Sequence, residues 1–258
     1  MQKDFFLLDL PIYKPEYKEN VEYGWSSDKK KRNTLDLLTE TTKGYCMYCF
    51  NRVEVNGNNY AHIEHGIERK NTEQLKDCVP NLGLACSKCN QSYKSQGEQT
   101  RKLTSGQKKK LEACTCNTKT CRDACDTFKY CRNYYVRKWK IILQPFGVES
   151  KEKVPYKIQF NLLSGQFIAS EKERYTQEDI DFINEHINFF GLNDVQRRNK
   201  ELAIYCKNVI AEHSILKEIT VNHLIIELFR ERLESITLEK AIKVCELVYQ
   251  LLLQAQCT

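Results

Sequence analysis

The chain has 258 residues, 41% of them hydrophobic and 29% charged, with a formal net charge of +6, enough for a substantial core or for a small finger with flanking domains. No apolar run reaches the roughly 18 residues of a membrane-spanning helix, and the opening stretch mixes charges with prolines where a signal peptide would be apolar; a soluble, unexported protein is expected, with no membrane partner. Thirteen cysteines, an odd number partly arranged as CxxC pairs, point to thiolate metal sites in a reducing compartment, the cytoplasm, and away from a disulfide framework.

Residues 1–43 read as a leader. It contains the apolar cluster Phe5-Phe6-Leu7-Leu8, which covers core or docks on a partner, and a basic helix-prone stretch from Lys29 to Leu38. Residues 44–100 read as a finger. Cys46 and Cys49, then Cys86 and Cys89, form two knuckles separated by 36 residues, the spacing of a structural zinc bound by four thiolates. Such an ion supplies folding free energy that a finger of about 50 residues lacks in its own core. Between the knuckles, Asn51 to Val55 is short and β-prone, Asn56-Gly57 signals a tight turn, and Tyr60 to His65 is expected to return as the second strand of that hairpin. After an irregular loop, Cys86 to about Ser95 lacks Gly and Pro and is expected to be helical.

The finger also carries residues suited to phosphodiester hydrolysis, which needs a base near a water and a cation to neutralise oxygen charge. His65 fits the base, since its unperturbed pKa lies near neutrality. Glu64 and Asn90 offer the hard oxygens that Mg²⁺ or Mn²⁺ prefers. Lys94, one helical turn beyond Asn90, is placed to meet a phosphate. His62 shares a strand face with Glu64 and reads as an extra ligand, a substrate contact or a packing residue, the last two being favoured. The plainer reading of the four cysteines is a structural zinc module without catalysis.

Taken together, YCMYCF, HIEHG and NLGLACSKCNQSYK between Tyr45 and Lys94 resemble the HNH (ββα-metal) endonucleases. The resemblance implies that Glu64 and Asn90 bind the catalytic metal, that His65 is the base, and that Asn81 braces the catalytic loop and orients the histidine. Many relatives carry histidine at the position of Asn90. The proline commonly found a few residues after the histidine is absent from Gly66 to Arg69.

From Arg101 to Lys140 there are twelve Lys or Arg against Glu112, Asp123 and Asp126. Lys108, Lys109, Lys110, Arg132, Arg137, Lys138 and Lys140 are interleaved with Tyr130, Tyr134, Tyr135 and Trp139, a mixture suited to phosphate contacts and base stacking. The bland reading is a solvated basic helix whose aromatics pack inward. The same segment holds Cys114, Cys116, Cys121, Cys125 and Cys131; four of these, Cys116, Cys121, Cys125 and Cys131 in the first instance, are read as a second zinc site, with buried thiols as the alternative. Residues 141–258 read as a β-hairpin across Ser164-Gly165, a helix capped at Thr176 and ending near Phe190, and helices over 195–215, 221–233 and 238–254. This part is acidic, with 15 Asp or Glu against 11 Lys or Arg from Glu171 onward.

The basic helix leading into GYCMYC, then HIEH, NLGLACSKCN, IILQPF, FNLLSGQF and INFFGLNDVQRR, makes residues 30–205 resemble the PtuB-type HNH subunit of Septu anti-phage systems and of some retron-associated modules. That resemblance implies an effector nuclease in antiviral defence, working beside an ABC-type or AAA-type ATPase. The expected architecture is α+β: a zinc-stapled ββα-metal finger, a basic cysteine-rich insertion over 101–140 and a mainly helical C-terminal region over 141–258. The expected cofactors are one Mg²⁺ or Mn²⁺ and one or two Zn²⁺. The expected substrate is nucleic acid, DNA ahead of RNA such as tRNA, and the alternative is a non-catalytic zinc-dependent nucleic-acid-binding or assembly module.

Overall fold

In chain order, the elements are β1 (Leu7–Asp9), α1 (Asp28–Thr42), β2 (Glu54–Val55), β3 (Asn58–Asn59), β4 (His62–His65), β5 (Leu82–Ala85), a π-helical segment (Lys88–Lys94), α2 (Ser105–Glu112) and α3 (Asp126–Trp139), followed by β6 (Ile158–Asn161), β7 (Gln166–Ala169), α4 (Gln177–Phe189), α5 (Gln196–Glu212), α6 (Leu224–Glu234) and α7 (Leu238–Gln254). The computed structural model describes residues 3–55, 58–114, 124–194, 196–216 and 219–254. The fold is α+β, and among the described residues no helix is long and apolar enough to cross a membrane. The four sequence segments regroup into two compact units, Ile12–Tyr156 and Met1–Pro11 with Lys157–Thr258.

In the unit Ile12–Tyr156, α1 starts where the Ser27 side chain accepts from the Lys30 amide and stops where Lys43 turns left-handed at φ 54°. Its inward stripe includes Lys30, Thr34, Leu37 and Leu38, the i, i+4, i+7, i+8 spacing of a helix laid on a surface. That surface is β4 and β5. The expected hairpin is corrected here. The described part of the first ladder is only β2 with β3, and its Asn56-Gly57 turn lies outside the described residues. The strand carrying Glu64 and His65 pairs with β5 instead, antiparallel, with Glu64 opposite Gly83 and His65 opposite Leu82. Gly83 sits in a close approach: a Cβ there would stand 3.1 Å from the Gln144 carbonyl oxygen, tighter than an ordinary contact. The helix that follows β5 runs from Lys88 to Lys94, within the range expected, but is wound as a π-helix.

The other unit is built on the sheet order β1-β6-β7, all antiparallel. The Phe5–Leu8 cluster is core material: Phe6, Leu7 and Leu8 are buried, and β1 forms the sheet edge. The hairpin turns at Gly165, φ 65°. Thr176 and Asp179 make the expected capping box for α4, and α5 packs along α7. Buried Arg198 ties the hairpin to the start of α5, donating to the Gly165 carbonyl at 2.7 Å and to Leu192 at 2.6 Å between the Phe160 and Phe167 rings.

Candidate functional site

The four finger cysteines converge. The ligand sulfurs of Cys46, Cys49, Cys86 and Cys89 all lie within 4.8 Å of one another, so this cluster can hold a zinc ion. Cys49 and Cys86 are 3.6 Å apart, close to the roughly 3.8 Å edge of a tetrahedron with Zn–S bonds of about 2.3 Å. The Met47 amide donates to the Leu84 carbonyl at 2.9 Å, bringing the first knuckle onto β5 just before the second one begins. Further donors reach the sulfurs, from the Asn51 side chain to Cys49 at 3.3 Å and from the Cys89 amide to Cys86 at 3.4 Å. His62 bonds Ser87 inside the second knuckle, its Nε2 lying 3.1 Å from the hydroxyl oxygen. It supports the knuckle and is not among the residues lining the neighbouring cleft.

That cleft, about 290 Å³, lies between β4 and the π-helical segment and brings Glu64, His65 and Asn90 together. His65 ends β4, and its Nε2 is 3.1 Å from the Lys76 carbonyl oxygen. A carbonyl only accepts, so Nε2 carries the proton and Nδ1 is left as the basic lone pair. Burial lowers the histidine pKa to about 4, with Arg69 and Lys94 acting in the same direction against the Lys76 carbonyl and Asp77. The ring is neutral at pH 7 and able to accept a proton.

Two residues not singled out in the sequence position that ring. Trp25 packs edge-on against His65, centroids 5.5 Å apart, and also lines the cleft. Asp77 holds Trp25 in place by accepting from the Trp25 and Ser26 amides at 2.6 and 2.7 Å. Burial pushes Asp77 up, but those hydrogen bonds and Lys30 outweigh it and keep the carboxyl below its usual range. Lys76 and Asp77 thus orient His65 and Trp25 from one turn. Lys31 and Arg69 stand over the Trp25 ring at 4.8 and 5.5 Å, placing cations beside the cleft that sequence spacing did not reveal.

Asn81 is 2% exposed and clamps the loop that leaves β4. Its Oδ1 accepts from the Ile67 amide at 2.8 Å, its Nδ2 donates to the Ile67 carbonyl at 2.9 Å, and its own carbonyl accepts from the Gly66 amide at 2.8 Å. This clamp holds the start of the loop, Gly66 to Arg69, which lacks a proline. Asn81→Ala would orphan buried backbone groups of Ile67, costing about 1–3 kcal/mol. Urea unfolding followed by tryptophan fluorescence should show the loss, since both tryptophans, Trp25 and Trp139, belong to this unit.

Lys94 is the principal correction. It is 3% exposed, donates to the Gly66 carbonyl at 2.7 Å and pairs with Glu64 at 3.2 Å and Glu68 at 3.7 Å. Its ammonium is an internal counter-ion, not a solvent-facing phosphate contact. Burial alone would lower its pKa, but Glu64, Tyr135 and Glu68 raise it, so it stays charged. Glu64 in turn accepts from the Tyr48 hydroxyl at 2.8 Å through Oε2, while its buried Oε1 faces Lys94 without a hydrogen bond. Glu68, also unforeseen, accepts from Arg101 at 2.8 Å and Tyr135 at 2.6 Å through Oε1, and its buried Oε2 has no hydrogen-bond partner among the described residues. Arg101 also donates to the Lys94 and Gln96 carbonyls.

The basic segment divides by helix face. Arg132 turns inward, donating to the Leu143 and Pro145 carbonyls at 2.8 and 3.0 Å, and Tyr135 is fully buried. Lys109 and Lys110 are exposed and Lys108 is partly so. Of the expected second zinc ligands, Cys116 and Cys121 lie outside the described residues. Cys125 caps α3 and lies 3.6 Å from Cys114, whereas Cys131 is buried with its sulfur 3.9 Å from the Gln107 carbonyl. Within the described part of this segment, Cys114 is the thiol that stands beside Cys125. Compared with protein-family models, with curated proteins and with solved structures, the chain matches none.

Proposed function

We propose that this chain is a metal-dependent nuclease of the HNH type, hydrolysing phosphodiester bonds in nucleic acid. The observation that carries the reading is the convergence of Glu64, His65 and Asn90 in one cleft beside a four-cysteine cluster able to hold zinc. The donor set suits a hard cation. Among the described residues, Glu64 Oε1 and Glu68 Oε2 are buried carboxylate oxygens without hydrogen bonds, and Asn90 lines the same cleft. Glu64, Asn90 and Glu68 are the residues that would hold Mg²⁺ or Mn²⁺, which when bound supplies Lewis-acid neutralisation of phosphate charge.

The chain's own residues do the rest. Nδ1 of His65 takes a proton from a water as its oxygen attacks phosphorus; the P–O bond to the leaving nucleoside oxygen breaks, and that oxygen gains a proton from solvent. The Lys76 carbonyl stabilises the resulting imidazolium and fixes the ring tautomer. Asn81 holds the loop, and Trp25 covers one side of the base. The test is incubation of the purified protein with single-stranded and duplex DNA and RNA in Mg²⁺, Mn²⁺ or EDTA. Cleavage that requires the divalent ion is expected; none under any condition would overturn the reading.

One observation favours a second reading, a zinc-dependent nucleic-acid-binding module without catalysis: Lys94 already neutralises Glu64. The same assay decides between them, since that module binds nucleic acid and cuts none. The resemblance to the Septu subunit also supports a role in anti-phage defence with an ATPase partner. Affinity purification of the tagged chain with its neighbouring genes should recover such an ATPase in a stable complex; a solitary chain would remove the partner from the proposal.

A further inference from the structure

Helix α3 has two unlike sides. Phe128, Cys131, Tyr135 and Val136 are buried, and Arg132 reaches inward to backbone carbonyls. On the other side, Tyr130, Asn133, Tyr134, Arg137 and Lys138 line a groove of about 570 Å³. These positions follow the i, i+3, i+4, i+7, i+8 spacing of a single helical stripe. Tyr130 is 53% exposed, a large aromatic surface turned to solvent. Lys110 from α2 stands 4.8 Å above its ring, and Lys138 lies 5.8 Å from the Tyr134 ring and 5.1 Å from that of Trp139. None of the five lining residues is acidic.

Two rings, Tyr130 and Tyr134, are followed along this stripe by two cations, Arg137 and Lys138, with Lys110 over the first ring, so an occupant must offer flat π-faces and negative charges side by side. Paired bases in a duplex hide their faces in the stack, whereas the bases of a single strand are free to stack on side chains. We propose that the outer face of α3 binds a single-stranded segment of nucleic acid, its bases stacking on Tyr130 and Tyr134 and its phosphates pairing with Lys110, Arg137 and Lys138. The proposal rests on the nuclease reading for its biological purpose, but its contacts are independent of the cleft. Stacking and phosphate pairing do not read the ribose 2′-hydroxyl, so oligo-dT and oligo-rU bind alike.

The test is fluorescence anisotropy of the full-length, zinc-loaded protein with 20-mer oligo-dT, oligo-rU and a DNA duplex, in EDTA-free buffer without Mg²⁺ or Mn²⁺. Tyr130→Ala should weaken single-strand binding about tenfold and Tyr130→Ala/Tyr134→Ala further, with duplex binding little changed. Because Tyr134 is partly buried, a charge-only variant, Arg137→Gln/Lys138→Gln, keeps the rings and should lower the slope of log K against log salt by about 0.7 per lost phosphate contact. Unchanged single-strand binding by Tyr130→Ala and by the charge variant would overturn the proposal. So would a change in sedimentation state confined to these variants, which would make the face an interface between copies of the chain. Cleavage is scored separately on the same oligomers. Binding through α3 without any cleavage would leave this surface standing and remove the nuclease; cleavage with indifferent tyrosine and charge variants would do the reverse.

Discussion

Replacement of His65 by alanine is expected to reduce cleavage by about 10²- to 10⁴-fold, the usual contribution of a positioned general base, while zinc content and nucleic-acid binding persist. Among the described residues the ring makes one hydrogen bond, to the Lys76 carbonyl, and one edge-on contact with Trp25, so its loss perturbs the unit modestly. Excess Mn²⁺ should not restore the variant, since the missing group is the proton acceptor. Asn90→Ala should differ: it removes a neutral oxygen donor, and Mn²⁺ should recover part of its activity. Glu64→Ala is a poorer probe than sequence alone implies. It would leave buried Lys94 with less compensation, and breaking a buried ion pair from one side costs about 3–5 kcal/mol. Glu64→Gln, which can still accept from Tyr48, separates the loss of charge from the loss of shape. Undiminished cleavage by folded His65→Ala would end the proposed mechanism.

The parts of the site visible in the sequence were those set by short spacing. Two CxxC knuckles, the adjacent Glu64 and His65, and Asn90 directly after Cys89 are each a local pattern, and the structure brings them together around β4, β5 and the π-helical segment. The C-terminal helices were legible for the same reason, from caps and period. What was hidden depends on chain-distant partners. Strand β4 pairs with β5 across a loop of sixteen residues, in a register that sets Glu64 opposite Gly83, where a side chain would crowd the Gln144 carbonyl. Helical period placed Lys94 near Asn90 but could not show that Glu64 and Glu68 wait behind it. Strand β1 pairs with residues about 150 positions away, beyond the reach of any local signal. Trp25 and Asp77, 52 positions apart, meet only through the folded backbone. Interleaved tyrosines looked alike in sequence, yet Tyr135 is core and Tyr130 is surface.

Loss of one finger thiolate is expected to have the largest structural effect. Structural zinc contributes an apparent 10–16 kcal/mol or so in finger peptides at neutral pH, comparable with the whole stability of a typical domain. Cys86 stands where this leverage is greatest. Its sulfur faces Cys49 at 3.6 Å and accepts from the Cys89 amide, and the residue begins the turn from which Asn90 and Lys94 enter the cleft. The Asn90 amide itself bonds the Cys86 carbonyl at 2.9 Å. Cys86→Ser should therefore lower zinc content, expose tryptophan fluorescence in the unit Ile12–Tyr156 and abolish cleavage together. Native protein should contain about two zinc ions by elemental analysis if Cys114 and Cys125 belong to a second site, and Cys125→Ser should then lose one ion without losing the first. A native ratio near one, with Cys125→Ser unchanged, would leave the second group as ordinary thiols. Full zinc content and native fluorescence in Cys86→Ser would show that the four-cysteine cluster does not staple this unit.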